Sequence, residues 1–136
     1  MRVRLELPGD PTSVRQARRL VARTLREWDL DDLEEFASLL VSEVVTNAVL
    51  HARTDLAVEV RLDGAVVRIL VSDCADRQPQ RRRHGTHAGT GRGLGLVEAL
   101  STAWGTDPAV DPYRKTVWFE LPLDPQDLPA PGEVVV

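Results

Sequence analysis

The chain of 136 residues predicts an α+β fold: a two-layer sandwich with helices on one face of a mixed, largely antiparallel sheet. Three observations carry that prediction. A short alternating strand is followed by two helical stretches, not by strict strand–helix alternation. Two valine-rich strands flank Asp63-Gly64, a strong hairpin signal. One more helical stretch then precedes two closing strands, giving the order β-α-α-β-β-α-β-β.

Residues 2–6 alternate as Arg-Val-Arg-Leu-Glu and stop at Pro8-Gly9, which reads as a strand ended by a turn. Pro11, Thr12 and Ser13 open the next element. From about 14 to 28, Val14, Ala17, Leu20, Val21 and Leu25 recur at helical spacing. Asp29 to Asp32 punctuates, and an aspartate there can cap the helix expected over about 31–51. That helix is apolar on most sides from Ala37 onward, the mark of a buried element. Strands follow at 56–62 and 65–71. Residues from about 73 to 92 lack periodicity, and a loop that long in a compact domain is usually functional or disordered. A helix near 93–102 and strands near 103–107 and 114–121 complete one domain over residues 1–121. The Pro-rich tail from 122 to 136 is expected to be disordered.

Composition narrows the function classes. Seventeen basic and 21 acidic residues leave a net charge of −4, a poor balance for a general nucleic-acid binder. The apolar stretch over 36–50 is interrupted by Glu43, Thr46 and Asn47, so it fails as a membrane span. One cysteine, Cys74, excludes an internal disulfide framework, and with no secretory signal over Met1 to Asp10 a cytoplasmic location is expected. Sixteen of the basic residues are arginine and Lys115 is the only lysine, a bias that reads as a GC-rich genome.

Three features stand out chemically. Glu43, Asn47 and His51 lie four apart and stack on one helix face. They form either a solvent-facing stripe or a row of metal, water and phosphate contacts. Asp73 ends a strand, where it is either a turn former or an acceptor for a ligand amine. Five of the nine glycines fall between 85 and 95, directly before a helix. They make a flexible hinge or a loop whose amides approach an anion at a helix N-terminus. The P-loop and strict dinucleotide patterns are both absent. His84 and His87 with Cys74 are too few and too irregular to argue for zinc.

Taken in order, these features are specific. Glu43-x-x-x-Asn47-Ala48-x-x-His51 on a helix precedes Asp73 after a strand. Then come Gly89-x-Gly91-x-Gly93-Leu94-Gly95-Leu96 opening a helix and Lys115-Thr116-Val117-Trp118-Phe119 on the last strand. The set, over about residues 10–121, resembles the GHKL ATPase superfamily of histidine kinases, gyrase-type and chaperone-type ATPases. Within it, the single-domain length and the Val-Ser-Glu-Val-Val-Thr-Asn-Ala-Val run look most like bacterial anti-sigma-factor serine/threonine kinases, in the arginine-rich form of actinomycete regulatory proteins.

That resemblance implies the GHKL ATPase fold, ATP and Mg²⁺ as cofactors, and a role for each matching residue. Asn47 would coordinate the magnesium that bridges the phosphates. Glu43 would be the catalytic base toward a serine of a partner protein. His51 would support the phosphates or the structure. Asp73 would accept a hydrogen bond from the adenine amino group, and Thr116 would support the adenine. Gly89, Gly91, Gly93, Leu94 and Gly95 would form the phosphate-side loop and lid hinge, with the arginines at 81–83 available to close over it. The family often carries glycine two residues after its adenine-binding aspartate; here that position is Ala75. The resemblance further implies a sigma factor or its antagonist as partner, and a homodimer. Two other readings stay open: an ATP-responsive module that sequesters its partner without phosphorylating it, and a stand-alone histidine-kinase-type ATPase domain.

Overall fold

The computed structural model describes residues 1–75 and 92–128, and its elements follow the expected order. Strand β1 spans Arg2–Leu7 and helix α1 spans Thr12–Glu27. A 3₁₀ turn, Asp31–Leu33, leads into α2, Glu34–His51. The hairpin strands are β2, Leu56–Asp63, and β3, Val66–Asp73. Helix α3 covers Arg92–Leu100, and β4, Ala103–Pro108, and β5, Lys115–Pro122, close the domain.

Local chemistry sets these boundaries. The Asp10 carboxylate accepts the Thr12 N–H at 2.9 Å and the Thr12 hydroxyl at 3.0 Å, fixing the start of α1. Helix α1 ends where Asp29 takes a φ of 59° and the Leu30 N–H reaches back to the Leu25 carbonyl at 2.7 Å. That six-to-one bond is the usual closure of a helix by a left-handed residue. At the hairpin, Gly64 supplies a φ of +64° between the paired residues Asp63 and Val66.

The sheet order is β1-β2-β3-β5-β4. All four pairings among the described strands are antiparallel, in keeping with the expected largely antiparallel sheet, with no parallel pair among them. The reason lies in the crossover. Helix α3 carries the chain past the place of β5 to the sheet edge, and β5 then returns between β3 and β4. Strands β3 and β4 therefore point the same way without ever pairing.

The core sits between the sheet and the helices. Leu20, Val21 and Leu25 of α1 and Leu40, Val41, Val44 and Val45 of α2 bury against Val58, Val60, Ile69, Val71, Val117, Phe119 and Leu121. Burial of each such side chain contributes about 1.5–3 kcal/mol. The opposite face of the sheet is polar. Glu59 is buried there among Arg2, Arg4 and Arg61, and Arg68 pairs with Glu120. Arg68 also stacks over Trp118, whose ring covers Gly105 so closely that a Cβ there would lie 2.8 Å from it.

The described structure continues beyond residue 121. Pro122 belongs to β5, Pro125–Asp127 forms a 3₁₀ turn capped by Asp124, and Leu123 and Leu128 pack against the core. The rest of the expected tail, 129–136, lies outside the described residues.

Candidate functional site

The topology gathers the chemistry at one end of the sheet. Helix α2 ends at His51, and the chain turns through Ala52 to Asp55 into Leu56, the register partner of Asp73. On its other side Asp73 pairs with Lys115, the first residue of β5. The exit of α2, the end of β3 and the start of β5 therefore meet. Helix α3 packs on α2 and β4 and joins β4 through Ser101 and Thr102. β4 begins opposite Glu120, at the far end of the sheet, and runs to Pro108, opposite Lys115. A helix so connected runs antiparallel to its strand, so the N-terminus of α3 points back toward Asp73. The N-terminus of a helix suits an anion.

Asp73 is the most tightly held of these groups. It is 2% exposed, on the helix-facing side of β3 with Ile69 and Val71. One carboxylate oxygen accepts the Ala75 N–H at 2.9 Å, and the other lies 3.1 Å from the Lys115 ammonium, itself 8% exposed. The Asp73 carbonyl accepts the Arg114 N–H at 2.8 Å, and Thr54 Oγ1 accepts the next amide, that of Cys74, at 3.1 Å. Ala75, where the resemblance expects a glycine, has no positive φ. Its amide instead fixes the aspartate rotamer, so alanine fits that backbone without strain.

Glu43 and Asn47 stand one turn apart in the second half of α2, both half-buried. Neither side chain has a hydrogen bond or ion pair with another described residue. His51, one turn on, is exposed. Gly93 and Leu94 fall in the first turn of α3, and Gly95 follows. A Cβ at Gly95 would meet nothing within 4 Å among the described residues, so packing there does not require the glycine. Gly89, Gly91, the arginines at 81–83, His84 and His87 lie outside the described residues.

Thr116 is not brought to Asp73. Strand alternation puts it on the outer face, where its hydroxyl lies 2.7 Å from that of Ser72. The β5 residue that shares Asp73's face is Lys115, which the sequence analysis gave no role. Its signal was its singularity among sixteen arginines. Cys74 is half-buried, with its sulfur 3.5 Å from the Pro112 carbonyl. No cluster of three metal-ligating side chains occurs among the described residues. A separate surface groove between α1 and the start of α2 is lined by Arg18, Asp31, Glu34, Ser38 and Leu39. None of the expected site residues borders it.

The described residues form a one-faced α+β sandwich with a buried carboxylate ending a central strand. The comparison with protein families is more particular. The model of the histidine kinase-like ATPase domain matches residues 7–120, and the chain belongs to that family. No curated protein matches it. Domains of this family bind ATP, typically with Mg²⁺. The donor set fits. Asn47 offers a neutral oxygen of the hard type magnesium prefers, and Asp73 a buried acceptor.

Proposed function

We propose that this protein is an ATP-dependent serine/threonine kinase of the anti-sigma-factor type, which transfers the γ-phosphoryl group of ATP to a serine of a partner protein. The observation that carries the reading is Glu43: a half-buried carboxylate without a protein partner among the described residues, one helical turn before Asn47. In this account Asp73 holds the adenine amino group, and the N-terminus of α3 faces the phosphates. Asn47 would hold the magnesium, which neutralises phosphate charge when bound. Glu43 accepts the proton of the partner's serine hydroxyl as that oxygen bonds to the γ-phosphorus. The bond from phosphorus to the bridging oxygen breaks, and ADP leaves. The partner would be a sigma factor or its antagonist, and the protein would act in the cytoplasm as a regulator of transcription.

Replacing Glu43 with Ala separates binding from transfer. The variant should bind Mg-ATP within about threefold of the wild type, since it leaves the base contacts untouched. Its phosphorylation of purified anti-sigma-factor antagonists, followed with γ-labelled ATP, should fall by about 10²–10⁴. Phosphorylation at the wild-type rate would reject the role of Glu43. The alternative reading is an ATP-responsive module that captures its partner without phosphorylating it; the departure at Ala75 from the glycine of the resembled family motivates it. Stable capture of an antagonist with no label transferred over hours would establish it.

A further inference from the structure

We propose that Lys115 is a base-reading residue: with Asp73 it forms an acceptor–donor pair that recognises the amino group and an adjoining ring nitrogen of adenine. The inference rests on the nucleotide-binding reading and names a further base-contacting residue of that site.

The argument starts from the composition. Wherever else this chain places a basic side chain it uses arginine. At position 115, buried on the core face of β5, it uses lysine. An ammonium is a compact charge with three rotatable donors, whereas a guanidinium spreads five donors over a wide plane. Among the described residues one Lys115 contact is seen, to Asp73 Oδ2 at 3.1 Å. An ammonium buried with a single partner has donors to spare, and buried donors are normally used.

The pair also has the right polarity. Adenine carries its N6 donor next to a ring-nitrogen acceptor, N7 on one edge and N1 on the other. A carboxylate oxygen beside an ammonium complements that arrangement. Guanine places an acceptor, O6, where adenine has its donor, so it would set an oxygen against Asp73. Turned over, guanine's N1–H and O6 would also match the pair, so the contact specific to this proposal is that of the Lys115 ammonium with an adenine ring nitrogen. Because both charges are buried, a base that leaves one of them unmatched is penalised strongly.

The test compares Mg-ATP with the 1-deaza and 7-deaza analogues of ATP by calorimetry, on the wild type and on Lys115→Met. The wild type should bind ATP at least about tenfold tighter than one deaza analogue. Lys115→Met should bind ATP and that analogue equally. Since Lys115 is the only lysine, ¹⁵N-lysine labelling gives one ammonium resonance, which reads the contact in the wild type without any substitution. Saturating ATP should shift it, and the deaza analogue should shift it less. Equal wild-type affinity for ATP and both analogues overturns the proposal while the nucleotide site stands. So does a deaza penalty that persists in Lys115→Met, or an ammonium signal that ATP leaves in place. Absence of any ATP binding defeats the nucleotide-binding reading itself, and this proposal with it.

Discussion

At the scale of single residues, Asp73 depends on neighbours that are far away in sequence. Thr54 holds the amide of Cys74, and the Thr54 backbone lies directly against Gly9. A Cβ at Gly9 would sit 2.3 Å from the Thr54 carbonyl oxygen, closer than any side chain tolerates. Gly9→Ala must therefore push the β1–α1 turn away from the segment that positions Asp73. Overpacking of this kind costs about 1–3 kcal/mol. Urea unfolding should show a loss in that range; wild-type stability in the variant would refute the close approach. The sequence announced Gly9 only as a turn residue after Pro8. Its partner, Thr54, sits at the far side of the first two helices, and no local pattern links the two. Lys115 was hidden for a similar reason. Its meaning comes from the β3–β5 register, which sets it opposite Asp73 and turns Thr116 to the other face.

Elements were far more legible than contacts. Asp63-Gly64 and the two valine-rich strands around it fixed the hairpin, and the apolar run after Ala37 fixed the buried helix. These signals are local and repeat over several residues, so packing reinforces them. The all-antiparallel pairing was less legible, because which strands become neighbours depends on how α3 crosses the sheet. Helix α1 offers an element-scale test. The Thr12 amide and hydroxyl bond the Asp10 carboxylate and hold its pKa below the usual 3.8. The folded value lies under the unfolded one, so the cap stabilises the protein above that pH and the gain is lost as pH falls through the lowered value. Asp10→Ala should lower the thermal midpoint at pH 7, and the gap to wild type should close on acidification below 3.8. A gap that is constant with pH would mean the carboxylate charge plays no part in the cap.

At the scale of the whole molecule, the fold divides its labour between two faces. The helix-facing side carries the apolar core and, where that core meets the sheet's end, Asp73 and Lys115. The outer face carries the Arg2–Arg4–Arg61 cluster around Glu59 and the stacked Arg68 and Trp118. The end of α2, the end of β3 and the start of β5 meet because Asp73 is the register partner of both Leu56 and Lys115. The account stands on Asp73 as the group that holds the base. It is tested most directly by calorimetry of Mg-ATP on the wild type and on Asp73→Asn, with thermal unfolding to confirm that the variant folds. A carboxylate hydrogen bond worth roughly 1.5–3 kcal/mol predicts saturable wild-type binding that the substitution weakens at least tenfold. A folded Asp73→Asn protein that binds Mg-ATP as tightly as the wild type, or a wild type that does not bind at millimolar concentrations of ATP, would contradict it.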